Sequence, residues 1–260
     1  MSTFDEPRPL GLACGKVILL GEHAVVYGVP AIAVGIDRGA HARAVGLPAG
    51  PSELRVAGWD VHVREHEEGP ALARAFTELL RATRDSLAAR GAVLHASRVD
   101  AAADLPPGGG LGCSAATGVA VARALDPLAS STEIAARVMA WERVFHGNPS
   151  GVDAAVSARG GCVYFERGAP LVPLRLRGGA DLVLAVGSTG VGSSTKFMVE
   201  SVAARLAAEP DATRARFERI RGLVRAARSA IEAGDLGALG AALSQNQAAL
   251  AELALSTPEI

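Results

Sequence analysis

Lysine is almost absent from this chain of 260 residues. Lysine and arginine together number 26, but the only lysines are Lys16 and Lys196. A coding preference for arginine accounts for most of this bias. Lysine nevertheless offers a compact point charge, whereas arginine offers a planar fork that hardly ever loses its proton. The two exceptions are therefore candidates for a chemical role.

The chain also has few cysteines, a net charge close to zero and no long apolar run. The three cysteines (Cys14, Cys113 and Cys162) do not make a disulfide framework, which favours a reducing compartment. The formal net charge is −1 and there is no basic stripe, so we expect no nucleic-acid partner. The longest uncharged stretch, residues 105–122, is broken by prolines and glycines, and the N-terminal MSTFDEPRPL has no apolar run. We therefore expect a cytoplasmic protein with no membrane partner.

The hydrophobic content of 49% and the charged content of 20% are typical of globular proteins. Strands and helices alternate irregularly in the sequence pattern, which favours an α+β fold. A boundary is expected at Gly178–Gly179, where strand-rich sequence gives way to helix-rich sequence, so that residues 1–178 and 179–260 form two domains. The apolar spacing predicts strands at 11–20, 31–47, 54–64, 93–99, 161–165, 171–176 and 181–186, and helices at 71–90, from about 114, at 132–146 (capped by Ser131 or Thr132), 195–208, 211–233 and 236–253.

A glycine-rich loop, PPGGGLGCSAA at residues 106–116, leads into a predicted helix that begins near Ser114. Glycine lets the backbone approach a ligand closely, and the N–H groups at a helix N-terminus favour anions such as nucleotide phosphates. The loop matches neither the P-loop nor the dinucleotide-binding pattern. Taken alone, it fits a phosphate-binding loop and a tight turn of small residues equally well.

Two carboxylates flank a turn in WERVFHGNPSGVD, residues 141–153. Glu142 lies on a predicted helix, and Asp153 follows the Asn-Pro-Ser-Gly turn. Two carboxylates on either side of one turn can have different roles. One can bind Mg²⁺ while the other contacts a substrate hydroxyl. For an isolated pair, a surface glutamate and a capping aspartate are the simpler interpretation.

A lysine at the edge of a predicted strand opens GKVILLGEHAVVYG, residues 15–28. A buried Lys16 beside a carboxylate would stabilise the negative charge that develops in phosphoryl transfer. Glu22 and His23, in the turn that follows, could bind a polar substrate. Taken singly, these residues are better explained as a lysine that reaches solvent and a structural histidine.

Together and in this order, the three segments resemble those of the GHMP kinase superfamily, the small-molecule kinases of galactose, homoserine, mevalonate and phosphomevalonate. Within it, GEHAVVYG and HGNPSGVD are similar to the mevalonate kinase family. The likeness runs from about residue 10 to the end of the chain. It implies ATP and Mg²⁺ as cofactors, an N-terminal ribosomal-protein-S5-like α+β domain and a ferredoxin-like C-terminal domain. A homodimer is one assembly that it allows.

The resemblance also implies roles, position by position. Asp153 matches the proposed catalytic base and Lys16 matches the lysine near the reacting hydroxyl, so the two should form an ion pair. Ser114 and Glu142 match the Mg²⁺ ligands. The implied substrate-binding residues are Lys16, Glu22, His23, Asp153 and Thr195, and the implied phosphate-binding loop comprises Pro107, Gly108, Gly109, Gly110, Leu111, Gly112, Cys113, Ser114 and Ala115.

The chain departs from the family pattern in two places. Cys113 stands where many members have serine, and it is either a small buried filler or, near a helix N-terminus, a reactive thiol of lowered pKa. The family's third motif, a glycine-rich segment near the C-terminus, is not found, and the sequence ends at LSTPEI. We therefore expect a chain that is cut short, with an incomplete C-terminal sheet.

The resemblance implies an ATP-dependent kinase that phosphorylates the primary hydroxyl of mevalonate to give 5-phosphomevalonate, a step in isoprenoid precursor synthesis. One alternative is another GHMP kinase, acting on phosphomevalonate or a sugar, although phosphomevalonate calls for a cluster of basic residues that the sequence does not supply. A second alternative is a non-catalytic remnant that binds ATP or the substrate without turnover.

Overall fold

The computed structural model describes residues 10–177, 183–187, 195–253 and 255, with the backbone alone for residues 195–197. In this part of the chain, a mixed β-sheet is combined with seven α-helices. The predicted α+β class is confirmed.

Two compact units divide the chain. The first contains the segment that ends at Lys16 together with residues 35–107 and 111–160, and the second contains residues 17–34, 108–110 and the chain from 161 onward. The boundary predicted at Gly178–Gly179 lies outside the described residues and stays a prediction.

The sheet of the first unit is built on strand β2 (Ala31–Gly46), whose second half pairs antiparallel with β5 (Ser97–Ala103). Strand β5 pairs in parallel with β3 (Glu53–Ala57), which forms an antiparallel hairpin with β4 (Val61–Arg64). Strand β1 (Gly11–Leu20) also pairs with β2. Alternate residues of β3 and β5 are buried, so one face of this sheet packs on the core.

Four helices complete the core of the first unit. They are α1 (Ala71–Ala88), α2 (Cys113–Leu125), α3 (Ser131–His146) and α4 (Val152–Arg159). Helix α2 consists mainly of small residues and is buried along almost its whole length. It contacts both α3 and α4, so the residues at its N-terminal end lie among the side chains that these helices carry.

The second unit has a core of its own. The first residues of β2 pair antiparallel with β6 (Cys162–Phe165), which pairs in turn with β7 (Val172–Leu174). Its helices are α5 (Thr195–Ala208), α6 (Pro210–Ala233) and α7 (Leu236–Glu252). Within the described residues, no helix is long and apolar enough to cross a membrane.

Two predicted strands have different bounds in the structure. The period-two segment at 54–64 is a hairpin of two strands, because Gly58 and Asp60 adopt φ values of 81° and 50° in a turn between them. The strand predicted at 93–99 lies at Ser97–Ala103, where it pairs with a neighbour on each side. Alanine is uncommon in strands, so the alanines at the end of β5 do not favour a strand when the sequence is considered alone.

The N-terminal cap of α3 also differs from the prediction. The sequence predicts Ser131 or Thr132 as the cap, but the cap is Ser130. The Ser130 hydroxyl accepts a hydrogen bond from the backbone N–H of Glu133, and the Glu133 carboxylate accepts one from the backbone N–H of Ser130. The helix therefore begins at Ser131, one residue before the predicted start.

Two whole elements also differ. Residues 183–187 do not form a strand, so the strand predicted at 181–186 is wrong over its described part. Helix α4 has no counterpart in the sequence prediction; it follows Gly151, whose φ is 94°. Asp153 therefore lies in the first turn of a helix and not in a loop.

Candidate active site

Lys16 and Asp153 form an ion pair within the first unit. Strand β1 carries Lys16, which is 7% exposed, and its Nζ lies 3.2 Å from Oδ1 of Asp153. The first turn of α4 carries Asp153, where the helix dipole favours a negative charge. The backbone N–H of Lys16 donates to the carbonyl of Leu111 at 2.9 Å, which ties the strand to the glycine-rich loop. A fixed ammonium group thus lies beside a fixed carboxylate.

A second polar pair joins α2 to α3. Ser114 is the second residue of α2, and its hydroxyl donates to Oε1 of Glu142 at 2.6 Å. The indole N–H of Trp141 donates to the same serine oxygen at 3.1 Å. Three neighbouring polar groups therefore form one directional chain from tryptophan to serine to glutamate.

The Glu142 carboxyl is 2% exposed, and this burial raises its pKa to about 7. The nearby Asp153 carboxylate raises it further, while the hydrogen bond from Ser114 and the charge of Lys16 oppose the rise. His146, one turn along α3, holds its Nε2 3.6 Å from Glu142 Oε2. Burial lowers the pKa of His146, so the imidazole is mainly neutral at neutral pH.

The glycine-rich loop ends at the N-terminus of α2. Gly108, Gly110 and Gly112 adopt φ values of 73°, 74° and 74°, a region that side-chain-bearing residues rarely occupy. Gly112, at the N-cap, has no side chain with which to cap the helix, so the amides of the first turn, from Cys113 to Ala115, point out of the helix end. Such an end attracts anions, which agrees with the predicted role of residues 107–115 without testing it.

Cys113 is buried, and its thiol donates to the carbonyl of Leu105 at 3.4 Å. Burial raises the pKa of this thiol. Among the two interpretations of Cys113, the structure favours the small buried residue over the reactive thiolate. Cys14 and Cys162 are free thiols as well.

We expect Gly112→Ala to misplace Lys16. A Cβ at this position would lie 2.8 Å from Cγ of Lys16, and the alanine would also adopt an unfavourable positive φ that costs roughly 1–2 kcal/mol. Because a displacement of about 1 Å can lower a rate about 100-fold, kcat/KM should fall by about that factor. Steady-state kinetics and thermal unfolding measure the two effects separately.

Gly91→Ala is the matched control for this change. Gly91 has a φ of 69°, and a Cβ there would meet nothing within 4 Å. Both variants should therefore lose similar stability, but only Gly112→Ala should lose activity. Equal activity in the two variants would contradict the assigned contact between Gly112 and Lys16.

Ser114 and Glu142 fit a magnesium site. Proteins bind Mg²⁺ through oxygen donors, commonly one or two carboxylates, with substrate phosphates among the remaining ligands. Glu142 is also a buried carboxyl, and a divalent cation would compensate the negative charge that burial disfavours. Within the described residues, no group of three or more His, Cys, Asp or Glu side chains could hold a metal ion.

The predicted substrate residues Glu22 and His23 lie in the second unit. His23 has a φ of 60° and precedes a short 3₁₀ turn; such an outlier in a residue other than glycine is common at functional sites. Glu22 accepts a hydrogen bond at 3.0 Å from the side-chain amide of Asn246, which is 2% exposed on α7. Thr195 begins α5, and its side chain lies outside the described part of the chain.

Trp141, Gly118 and Asn246 belong to these arrangements, although the sequence argument does not single them out. Trp141 directly precedes Glu142, and a Cβ at Gly118 would lie 3.1 Å from the indole ring. Asn246 is the one fully buried amide of α7. Its Oδ1 atom has no hydrogen-bond partner within the described residues. The position of a tryptophan beside a candidate metal ligand is a signal that could have indicated Trp141. A polar residue on the apolar face of a helix is a signal that could have indicated Asn246.

Comparisons with known proteins identify relatives of this chain. The family model for the GHMP kinases N terminal domain matches residues 71–161, a segment that contains Ser114, Glu142 and Asp153. The mevalonate kinase of Aeropyrum pernix is 34% identical over 256 residues, which cover 95% of this chain and 78% of that protein. The mevalonate kinase of Thermococcus onnurineus is 33% identical over 216 residues, which cover 75% of this chain and 61% of that protein.

A solved structure is similar in fold as well. The crystal structure of the L. major mevalonate kinase in complex with R-mevalonate gives a TM-score of 0.72 at 25% sequence identity. The match covers 100% of this chain and 80% of that chain. The GHMP kinase fold expected from the sequence is therefore confirmed.

Proposed function

The chain belongs to the mevalonate kinase family of the GHMP kinases, and from this membership we propose that it transfers the terminal phosphoryl group of ATP to the primary hydroxyl of mevalonate. The observation that carries the proposal is the ion pair of Lys16 and Asp153 in the same unit as the pair of Ser114 and Glu142. Phosphoryl transfer depends chiefly on positioning and on charge stabilisation, and the two pairs supply groups for both.

In the proposed reaction, Asp153 meets the hydroxyl of the substrate. As the oxygen attacks the terminal phosphorus, its proton passes to the Asp153 carboxylate, and the bond to the leaving ADP oxygen breaks. The ammonium group of Lys16 stabilises the negative charge that develops on the attacking oxygen and on the transferred group. Their contact at 3.2 Å keeps both side chains in place before the substrate binds.

The glycine-rich loop and the first turn of α2 would hold the phosphates of ATP. Backbone N–H groups at this helix end favour the negative charge. Ser114 and Glu142 would hold Mg²⁺ through the hydroxyl and carboxylate oxygens. When bound, Mg²⁺ would neutralise part of the negative charge of the phosphates. Because Glu142 must be ionised to bind a metal, metal affinity should decline below a pH of about 7.

A direct assay tests the proposal. The chain is incubated with mevalonate, ATP and Mg²⁺, and formation of ADP and phosphomevalonate is followed by coupled spectrophotometry and mass spectrometry. Lys16→Met should lower kcat by about 10²–10³-fold, as the loss of one charge-stabilising group does in other enzymes. Lack of turnover of mevalonate by a folded chain would overturn the proposal, and full activity of Lys16→Met would overturn the assigned role of that lysine.

The two alternatives predict different results in the same assay. A kinase for phosphomevalonate or a sugar would turn over that compound faster than mevalonate in a substrate panel that includes galactose. A non-catalytic remnant would bind ATP, measured by calorimetry, but form no ADP with any substrate. Membership of the mevalonate kinase family favours mevalonate over both alternatives.

Asn246 tests the substrate role of Glu22. The Asn246 amide donates to Glu22 at 3.0 Å, and a hydrogen bond to a charged group contributes about 1.5–3 kcal/mol. Asn246→Ala should therefore raise the KM for mevalonate about tenfold or more while leaving kcat little changed. Gln245→Ala, which removes an exposed amide from the same helix, is the control. If both variants have the parent KM, Glu22 does not depend on Asn246.

A further inference from the structure

We propose that Trp141 is a positioning residue for the metal ligand Ser114, an inference that rests on the proposed function and deepens it. The indole N–H donates to Ser114 Oγ at 3.1 Å, and the serine O–H donates to Glu142 Oε1 at 2.6 Å. The indole group therefore acts on the cation site through the serine and need not touch the cation or the substrate.

The hydrogen-bond capacity of the serine carries the argument. A hydroxyl group has one donor and two acceptor positions. The donor is directed to Glu142, and the N–H of Trp141 occupies one acceptor position. The second acceptor position remains on the side of the oxygen that neither partner occupies, and a cation can bind there. Because indole N–H is only a donor and does not titrate, Trp141 fixes this orientation at any working pH.

The packing around Trp141 fixes the indole in turn. The side chain is 1% exposed in the core of the first unit. Its ring lies against Gly118, one turn after Ser114 on α2, where a Cβ would approach Cδ1 to 3.1 Å and the ring would have to shift. Phe145, one turn along α3, contacts the ring from another side with centroids 5.7 Å apart. The N–H donor is thus held by neighbours on two helices.

A simpler interpretation is that Trp141 only fills the core and that its N–H bonds to the nearest acceptor, as buried tryptophans usually do. The two interpretations differ in what happens when the N–H is removed and the ring is kept. A core residue then affects stability alone. A positioning residue affects metal affinity, because partners that orient a metal ligand typically contribute 10–100-fold to that affinity.

Metal binding measured without catalysis separates these interpretations. Mn²⁺ replaces Mg²⁺, a non-hydrolysable ATP analogue is bound, and free Mn²⁺ is measured by electron paramagnetic resonance. Trp141→Phe should raise the Mn²⁺ dissociation constant about tenfold. The control is Trp59→Phe, the same change in a side chain that packs on the same core. It should leave the constant within about twofold of the parent value, since Trp59 has no part in orienting a ligand.

Trp59→Phe also provides a readout that leaves Trp141 intact. The chain has two tryptophans, so this variant retains Trp141 as its single fluorophore. A cation bound at Ser114 should change the emission of Trp141 when Mg²⁺ is added in the presence of the ATP analogue. Unchanged emission at a Mg²⁺ concentration that saturates the site would overturn the proposal, even if Trp141→Phe does not fold.

The outcomes distinguish this inference from the proposed function. If the parent chain binds no Mn²⁺ with the analogue, both are overturned. If the parent binds Mn²⁺ and a folded Trp141→Phe binds it equally well, only the role of Trp141 is overturned. If Trp141→Phe and Trp59→Phe weaken Mn²⁺ binding equally, the effect is a general one on the core, and the inference is overturned.

Discussion

Replacing Asp153 by asparagine should lower kcat by about 10²–10⁴-fold, the range typical for loss of a general base. Asparagine keeps the shape of the side chain but removes the negative charge that pairs with Lys16 at 3.2 Å and the group that accepts the hydroxyl proton. The KM values for ATP and mevalonate should change much less, because the phosphate-binding loop and the candidate metal ligands are untouched. Initial rates at saturating substrate measure the effect.

Asp85→Asn is the control for this change. Asp85 is an exposed aspartate on α1 that pairs with Arg81 at the surface. Its replacement should leave kcat at the parent value. A kcat for Asp153→Asn within about threefold of the parent would contradict the proposed role of Asp153 as the base and the importance of its ion pair with Lys16.

Replacing Glu142 by glutamine should abolish metal binding and stabilise the metal-free protein at the same time. Loss of a metal ligand should cost about 10²–10³-fold in kcat/KM, since the metal contributes several kcal/mol to charge stabilisation. In the metal-free protein, however, the Glu142 carboxylate is costly, because burial raises its pKa from 4.5 to about 7. Glutamine has a similar shape and carries no charge.

The stability effect should depend on pH in a defined direction. Near pH 4 the carboxyl is protonated in both states, so ionisation costs nothing. Between pH 4.5 and about 7 the unfolded chain releases its proton while the folded protein keeps it, so the parent loses stability as the pH rises. At pH 8 the loss is nearly complete, and the free energy of unfolding of Glu142→Gln should exceed that of the parent by about 3 kcal/mol.

Urea denaturation without Mg²⁺ at pH 5 and at pH 8 measures this difference. Glu68→Gln, which changes an exposed glutamate in the loop before α1, is the control and should show no such pH dependence. A Glu142→Gln variant that is less stable than the parent at pH 8 would show that the buried carboxylate is not destabilising. A variant with parental Mn²⁺ affinity would show that Glu142 is not a metal ligand.

Elements with strong local patterns could be predicted from the sequence. Strand β1 and helix α5 have the predicted bounds, because the short apolar run in the one and the helical spacing in the other are local properties. Helix α4 could not be predicted in this way, since it has eight residues and its first turn lies beside an Asn-Pro-Ser-Gly turn. Packing against α2 and α3 supports it, and that support is not visible locally.

The candidate site, too, could be predicted from the sequence only in part. The residues Lys16, Ser114, Glu142 and Asp153 could be named from three sequence segments, and the structure brings the members of each pair within 3.2 Å. The position of Trp141 beside Glu142 is a signal in the sequence, but its hydrogen bond to Ser114 could not be predicted, because a sequence does not show which side chains pack together. This hydrogen bond depends on Gly118, whose missing side chain lets the indole approach α2. A sequence pattern can propose reactive groups, but the groups that orient them follow from tertiary packing.

The burial of Lys16 has a consequence for the chemical modification of this protein. Amine-directed reagents can react only with the α-amino group and two lysines, because the other basic side chains are arginines and histidines. Lys16 is one of those two lysines, and its Nζ is shielded by the protein and held against Asp153. Acylation found on the peptide that contains Lys16 therefore reports how often this amine becomes accessible, and only two other amines compete for the reagent.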